Sequence, residues 1–97
     1  MLKDLVVCRL EPRADFYHII RHLKERYGEY FLGMSENGGL MLFFSKDILE
    51  SDDYYDLISS LSAFGKISKI GLESIDLEEI LKDVRKFSYV IRSKLTK

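Results

Sequence analysis

Apolar positions along this chain follow two rhythms: short continuous runs of β-forming residues, and stripes spaced three or four apart. The first run, "DLVVCRL" at residues 4–10, ends at Glu11-Pro12 and reads as a strand. Pro12 suits the opening turn of a helix whose stripe is Phe16, Ile19, Ile20, Leu23 and Tyr27, with Gly28 as its stop. "EYFLGMS" (29–35) and "GGLMLFFS" (38–45) read as two further strands. Asn37-Gly38 supplies a hairpin turn between them, because both residue types accept positive φ. Ser51, followed by Asp52 and Asp53, is a capping serine with acids in the first turn, where the helix dipole favours negative charge. The helix it opens carries the stripe Tyr54, Leu57, Ile58, Leu61 and Phe64 and ends at Gly65. "KISKIGLESI" (66–75) is a fourth strand. Asp76 with Glu79 forms a capping-box pattern ahead of a long final helix with the stripe Leu77, Ile80, Leu81, Val84, Phe87, Ile91 and Leu95.

The element order is βαββαβ plus a C-terminal helix. It predicts a single α+β domain over residues 1–97: a ferredoxin-like two-layer sandwich at 1–75 and an additional long helix at 76–97. In such a sandwich the helices cover one sheet face, and the open face alternates polar with apolar. Here residues 40–44 and 5–8 are apolar in both parities, so both faces are expected to be buried. The final helix folding back, a second copy of the chain, or both would supply the cover. A homodimer is the expectation, since symmetric dimers are the commonest oligomers.

Ninety-seven residues suffice for one core. The chain is 46% hydrophobic and 32% charged, a globular rather than disordered composition. No apolar run approaches a membrane span, no signal segment opens the chain, and Cys8 is the single cysteine. Together these point to a cytoplasmic protein without membrane partners, disulfide framework or cofactor. Glutamine is absent and Asn37 is the only asparagine, a depletion of thermolabile amides expected of a thermophile, cellular or viral. Net charge is −1, with acids concentrated at residues 47–56 and cations at 82–97.

The motifs narrow the chemistry by exclusion. A glycine pair followed by a strand is not a phosphate-binding loop, which must open a helix. An RNA-reading RRM strand needs stacking aromatics where this chain has Gly39 and Met41. His18 and His22, four apart, have the spacing of a metal pair, but no third ligand is set by spacing and a solvated face is the favoured reading. Cys8, inside an apolar strand, is expected to be inert. No nucleophile–base pairing is specified, so the chain reads as a binding protein and not an enzyme. Lys82, Arg85, Lys86, Arg92 and Lys94 are the phosphate-contact candidates for an alternative role as a nucleic-acid-binding accessory protein. A small viral or host protein inhibitor acting through the 47–56 face is the other alternative.

"VVCRLEPRADFYHIIRHL", "GMSENGGLMLFFSKD" and "LISSLSAFGKISKI" together resemble the small effector-binding domain of the Lrp/AsnC family of regulators, over residues 5–75. The resemblance lies in pattern: an apolar strand ending near Pro, a hairpin after a Gly, and a helix ended by Gly before the last strand. Of the family's Gly-x-Tyr/Phe-Asp element, only Gly38 has a counterpart, and no DNA-binding helix-turn-helix is present. The resemblance implies a ferredoxin-like fold, paired subunits, and a regulatory module that binds a small molecule or protein. Gly38, Gly39, Met41, Phe43 and Val7 are the candidate ligand or interface residues.

Overall fold

In the computed structural model, which describes residues 2–36, 38–82 and 89–90, the first apolar run is the second strand from one edge of an antiparallel sheet. The elements in order are β1 (Leu2–Pro12), α1 (Phe16–Tyr27), β2 (Phe31–Glu36), β3 (Leu40–Ser45), a 3-10 turn (Lys46–Glu50), α2 (Asp53–Phe64), β4 (Gly65–Asp76), α3 (Leu77–Lys82) and β5 (Tyr89–Val90). The strand order is β4-β1-β3-β2-β5. β1 pairs antiparallel with both β3 and β4, opposing Val7 to Phe43 on one side and to Gly71 on the other. The architecture is α+β, compatible with a ferredoxin-like sandwich, although the five-strand order is not that of the four-stranded sandwich expected. Among the described residues, no helix is long and apolar enough to cross a membrane.

Strand alternation explains the two-sided hydrophobicity. Val6, Cys8 and Leu10 of β1 and Leu40, Leu42 and Phe44 of β3 meet Ile19, Leu23 and Tyr27 of α1 and Leu57 and Leu61 of α2. Phe31 and Phe44 sit at the centre of this layer with ring centroids 5.6 Å apart. The opposite parity, Leu5, Val7, Phe43 and Leu32, forms a second cluster with Leu77 of α3. These residues are at most 4% exposed within one chain, so the two-sided strands do not by themselves require a second copy.

Several local expectations are corrected. The long C-terminal helix is not observed: α3 ends at Lys82, and Tyr89–Val90 form a strand opposite Met34 and Gly33. A strand edge carries backbone donors and acceptors that need partners, and Tyr-Val is a strongly β-forming pair. Val84, Phe87, Ile91 and Leu95 of the expected stripe lie outside the described residues. Pro12 ends β1 and does not open the helix; Asp15 caps α1 by accepting from the Tyr17 amide at 3.2 Å. Ser51 does act near the start of α2, accepting from the Asp53 amide at 3.2 Å and donating to the Ile48 carbonyl at 2.8 Å.

The α2–β4 junction depends on contact. A side chain at Gly65 would run into the Glu11 carbonyl and lie 2.9 Å from Pro12 Cα, so only glycine lets β4 start against the end of β1. Phe44, fully buried, and Tyr55, 78% exposed, give a direct check of this packing. In urea unfolding, Phe44→Ala should cost about 3–5 kcal/mol, and Tyr55→Ala less than about 0.5 kcal/mol.

Candidate functional site

At the hairpin end of the sheet, the β2–β3 connection turns through Gly38 (φ 67°) and Gly39 (φ 142°). A Cβ on Gly39 would lie 3.3 Å from the Leu10 carbonyl, so the turn sits directly on the β1 backbone. Beside it β4 bulges at Ser68, where the register with β1 slips between Arg9 and Leu10. The Ser68 hydroxyl donates to the Arg9 carbonyl at 3.1 Å. Turn and bulge together leave an open cleft of ≈ 240 Å³ lined by Arg9, Glu11, Gly38, Gly39, Met41 and Ser68, with Leu10 and Leu40.

Three of the five sequence-predicted ligand residues therefore meet: Gly38, Gly39 and Met41. Val7 and Phe43 do not reach the cleft; they are 0% and 3% exposed in the second apolar cluster, where they pack and do not present a surface. A larger opening of ≈ 370 Å³ lies towards the start of β1, lined by Leu2, Lys3, Asp4, Leu5, Leu32, Ser45, Lys46 and Asp47. The hairpin cleft is the one that gathers sequence-predicted residues, around two positive-φ glycines and a bulge.

Arg9, beside the cleft, donates from Nη2 to Glu73 Oε1 at 3.1 Å across the β1–β4 pair. Arg9 Nη1 and Glu73 Oε2 are both shielded from solvent and without a hydrogen-bond partner. The pair offers one free donor and one free acceptor on the sheet face of the second apolar cluster. Sequence reading did not identify Glu73; the available signal was a single arginine set between Cys8 and Leu10 in an apolar run.

A second polar cluster joins the helices. Arg26 grips Asp56 through Nε at 2.8 Å and Nη2 at 3.1 Å, and the Tyr27 hydroxyl donates to Asp56 Oδ2 at 2.6 Å. Ser60 Oγ lies 3.0 Å from the same hydroxyl. The hydrogen bond from Tyr27, followed by that from Arg26, holds the Asp56 carboxyl below the usual carboxylate range. Burial, and then the bond to Asp56, push the Tyr27 hydroxyl up. His22 packs edge-on against Tyr27 and Phe64, with centroids 5.9 and 5.1 Å away. It therefore does not face open solvent as expected.

His18 instead lies 3.7 Å from Asp15 at the start of α1. Among the described residues, no group of three or more His, Cys, Asp or Glu could hold a metal ion. Cys8 is fully buried and burial raises its thiol to about 12, far from a nucleophilic thiolate. Arg85, Lys86, Arg92 and Lys94 lie outside the described residues, and Lys82 closes α3. Comparison with family models, curated proteins and solved structures finds no match.

The Asp56 shift sets a pH dependence. A carboxyl whose folded pKa is depressed contributes stability above its unfolded pKa, lost as pH falls through the folded value. Asp56→Asn should lower the melting temperature at pH 7, and the gap to the wild type should close as pH drops from about 4 towards 2. Thermal melts across that range read the difference directly.

Proposed function

We propose that this chain is a ferredoxin-like sandwich with an added edge strand, serving as a non-catalytic regulatory module that takes a small polar effector at the hairpin end of the sheet. The cleft formed by Arg9, Glu11, Gly38, Gly39, Met41 and Ser68 carries this reading. It places a cation and an anion at its wall beside backbone held by two positive-φ glycines. A concave surface with a few convergent polar groups is a place for a small ligand to bind. The reading is further supported by the burial of Cys8 and by the engagement of Tyr27 and Asp56 with each other, which leaves neither of them set beside an open cavity as a nucleophile or general base.

Opposite charges on Arg9 and Glu11 favour a zwitterion, and the free amino acids are the probe set. A ligand at a hundredfold excess over its dissociation constant stabilises the folded state by about 2.7 kcal/mol. In a domain of this size that raises the melting temperature by about 10 °C or more. A thermal-shift screen of the individual amino acids at millimolar concentration should find at least one such response. Glu11→Gln should abolish that response while leaving the ligand-free melt in place. No shift from any amino acid would overturn the reading.

A further inference from the structure

β4 is the outermost strand of the sheet, twelve residues long, and has a neighbour on one side only among the described residues. An exposed strand edge is a template for another strand unless something blunts it. The residues along this edge are self-complementary about one glycine. From Gly71, Ile70 is balanced by Leu72, and Lys69 by Glu73. We propose that a second copy of this chain pairs with β4 antiparallel across a two-fold axis at Gly71, joining the two sheets into one.

In that register Gly71 opposes the partner's Gly71 on the axis, while Ile70 opposes the partner's Leu72 and Lys69 the partner's Glu73, each of these two contacts occurring twice. The faces agree. Pairing with β1 sets Lys69, Gly71 and Glu73 opposite Arg9, Val7 and Leu5, on the face of the second apolar cluster. Ile70 and Leu72 oppose Cys8 and Val6, on the helix-covered face. Directly opposed residues in an antiparallel pair share a face, so charge meets opposite charge and apolar meets apolar.

Neighbouring registers are worse. A two-fold centred on residue 70 or 72 sets Lys69 and Glu73 against glycine or isoleucine, one on residue 69 sets lysine against lysine, and one on residue 73 sets glutamate against glutamate. The edge also exposes an apolar side chain that this pairing would help cover: Leu72 is 53% exposed in mid-strand. The bulge at Ser68 shifts the faces beyond it, which confines the regular pairing to residues 69–73. This inference is independent of the effector cleft.

Gly71 also provides the probe. A Cβ there meets no atom within 4 Å, so Gly71→Cys is accommodated by the folded chain. Directly opposed antiparallel residues have Cα atoms about 4.5–5.5 Å apart, within disulfide range, whereas the native Cys8 is buried. Light scattering coupled to size exclusion should give a mass near twice 11.4 kDa for the wild type, falling on dilution. Gly71→Cys should convert to a covalent dimer under mild oxidation, and Ser74→Cys should not. Lys69→Glu alone and Glu73→Lys alone should each be monomeric. Their equimolar mixture should form a heterodimer, because both opposed pairs then regain opposite charge. Circular dichroism of each variant separates lost pairing from lost folding. A wild type that stays monomeric at every concentration overturns the proposal. So does a dimer that survives Lys69→Glu while Gly71→Cys stays uncrosslinked.

Discussion

Burial of β1 on both of its faces is the constraint on which the other elements depend. Its even-numbered residues Val6, Cys8 and Leu10 must meet a helical layer, and its odd-numbered Leu5 and Val7 must meet something else. The ladder to β3 on one side and β4 on the other satisfies its backbone groups. The two long helices, α1 and α2, lie on the Val6–Cys8 side, where their stripes supply the matching side chains. On the remaining face Leu5 and Val7 pack with Leu32, Phe43 and Leu77. Arg9 is the exception in this strand, and it is tolerated because Glu73 meets it from the neighbouring strand. The pair is only half-buried, so it contributes modestly to stability and serves chiefly to satisfy the two charges.

The helical layer is held in register differently. Apolar stripes allow two helices to slide by a turn at little cost, whereas the bonds converging on Asp56 do not. A two-pronged guanidinium and a phenol converge on one carboxylate, and each of those groups comes from the last turn of α1. Tyr27 contributes twice, with its ring in the core and its hydroxyl at the rim. That division of a single side chain between apolar and polar roles suits tyrosine at the boundary of a small core.

The first four strands, both long helices and the helix-covered core were readable in the sequence because each rests on a periodicity the local residues carry. Leu57, Leu61, Ile19 and Leu23 fall where their stripes place them. The C-terminal segment was misread because its stripe is equally compatible with interrupted structure. What decides Tyr89–Val90 is a vacant edge on β2, a partner more than fifty residues earlier in the chain. The cleft was half readable: the glycines announce a turn, but nothing local reveals that Arg9, Glu11 and Ser68 stand beside it. The Arg9–Glu73 and Tyr27–Asp56 contacts were hidden for the same reason, since they join residues 64 and 29 positions apart.

The placement of Cys8 gives the molecule a built-in reporter. Its sulfur sits between sheet and helices, so solvent reaches it only when the helical layer lifts from the sheet. Fraying of the hairpin, of α3 or of β5 leaves it covered. A thiol-reactive dye added to the native protein therefore counts openings of the sheet–helix core, and its labelling rate becomes a clock for them without any engineered label.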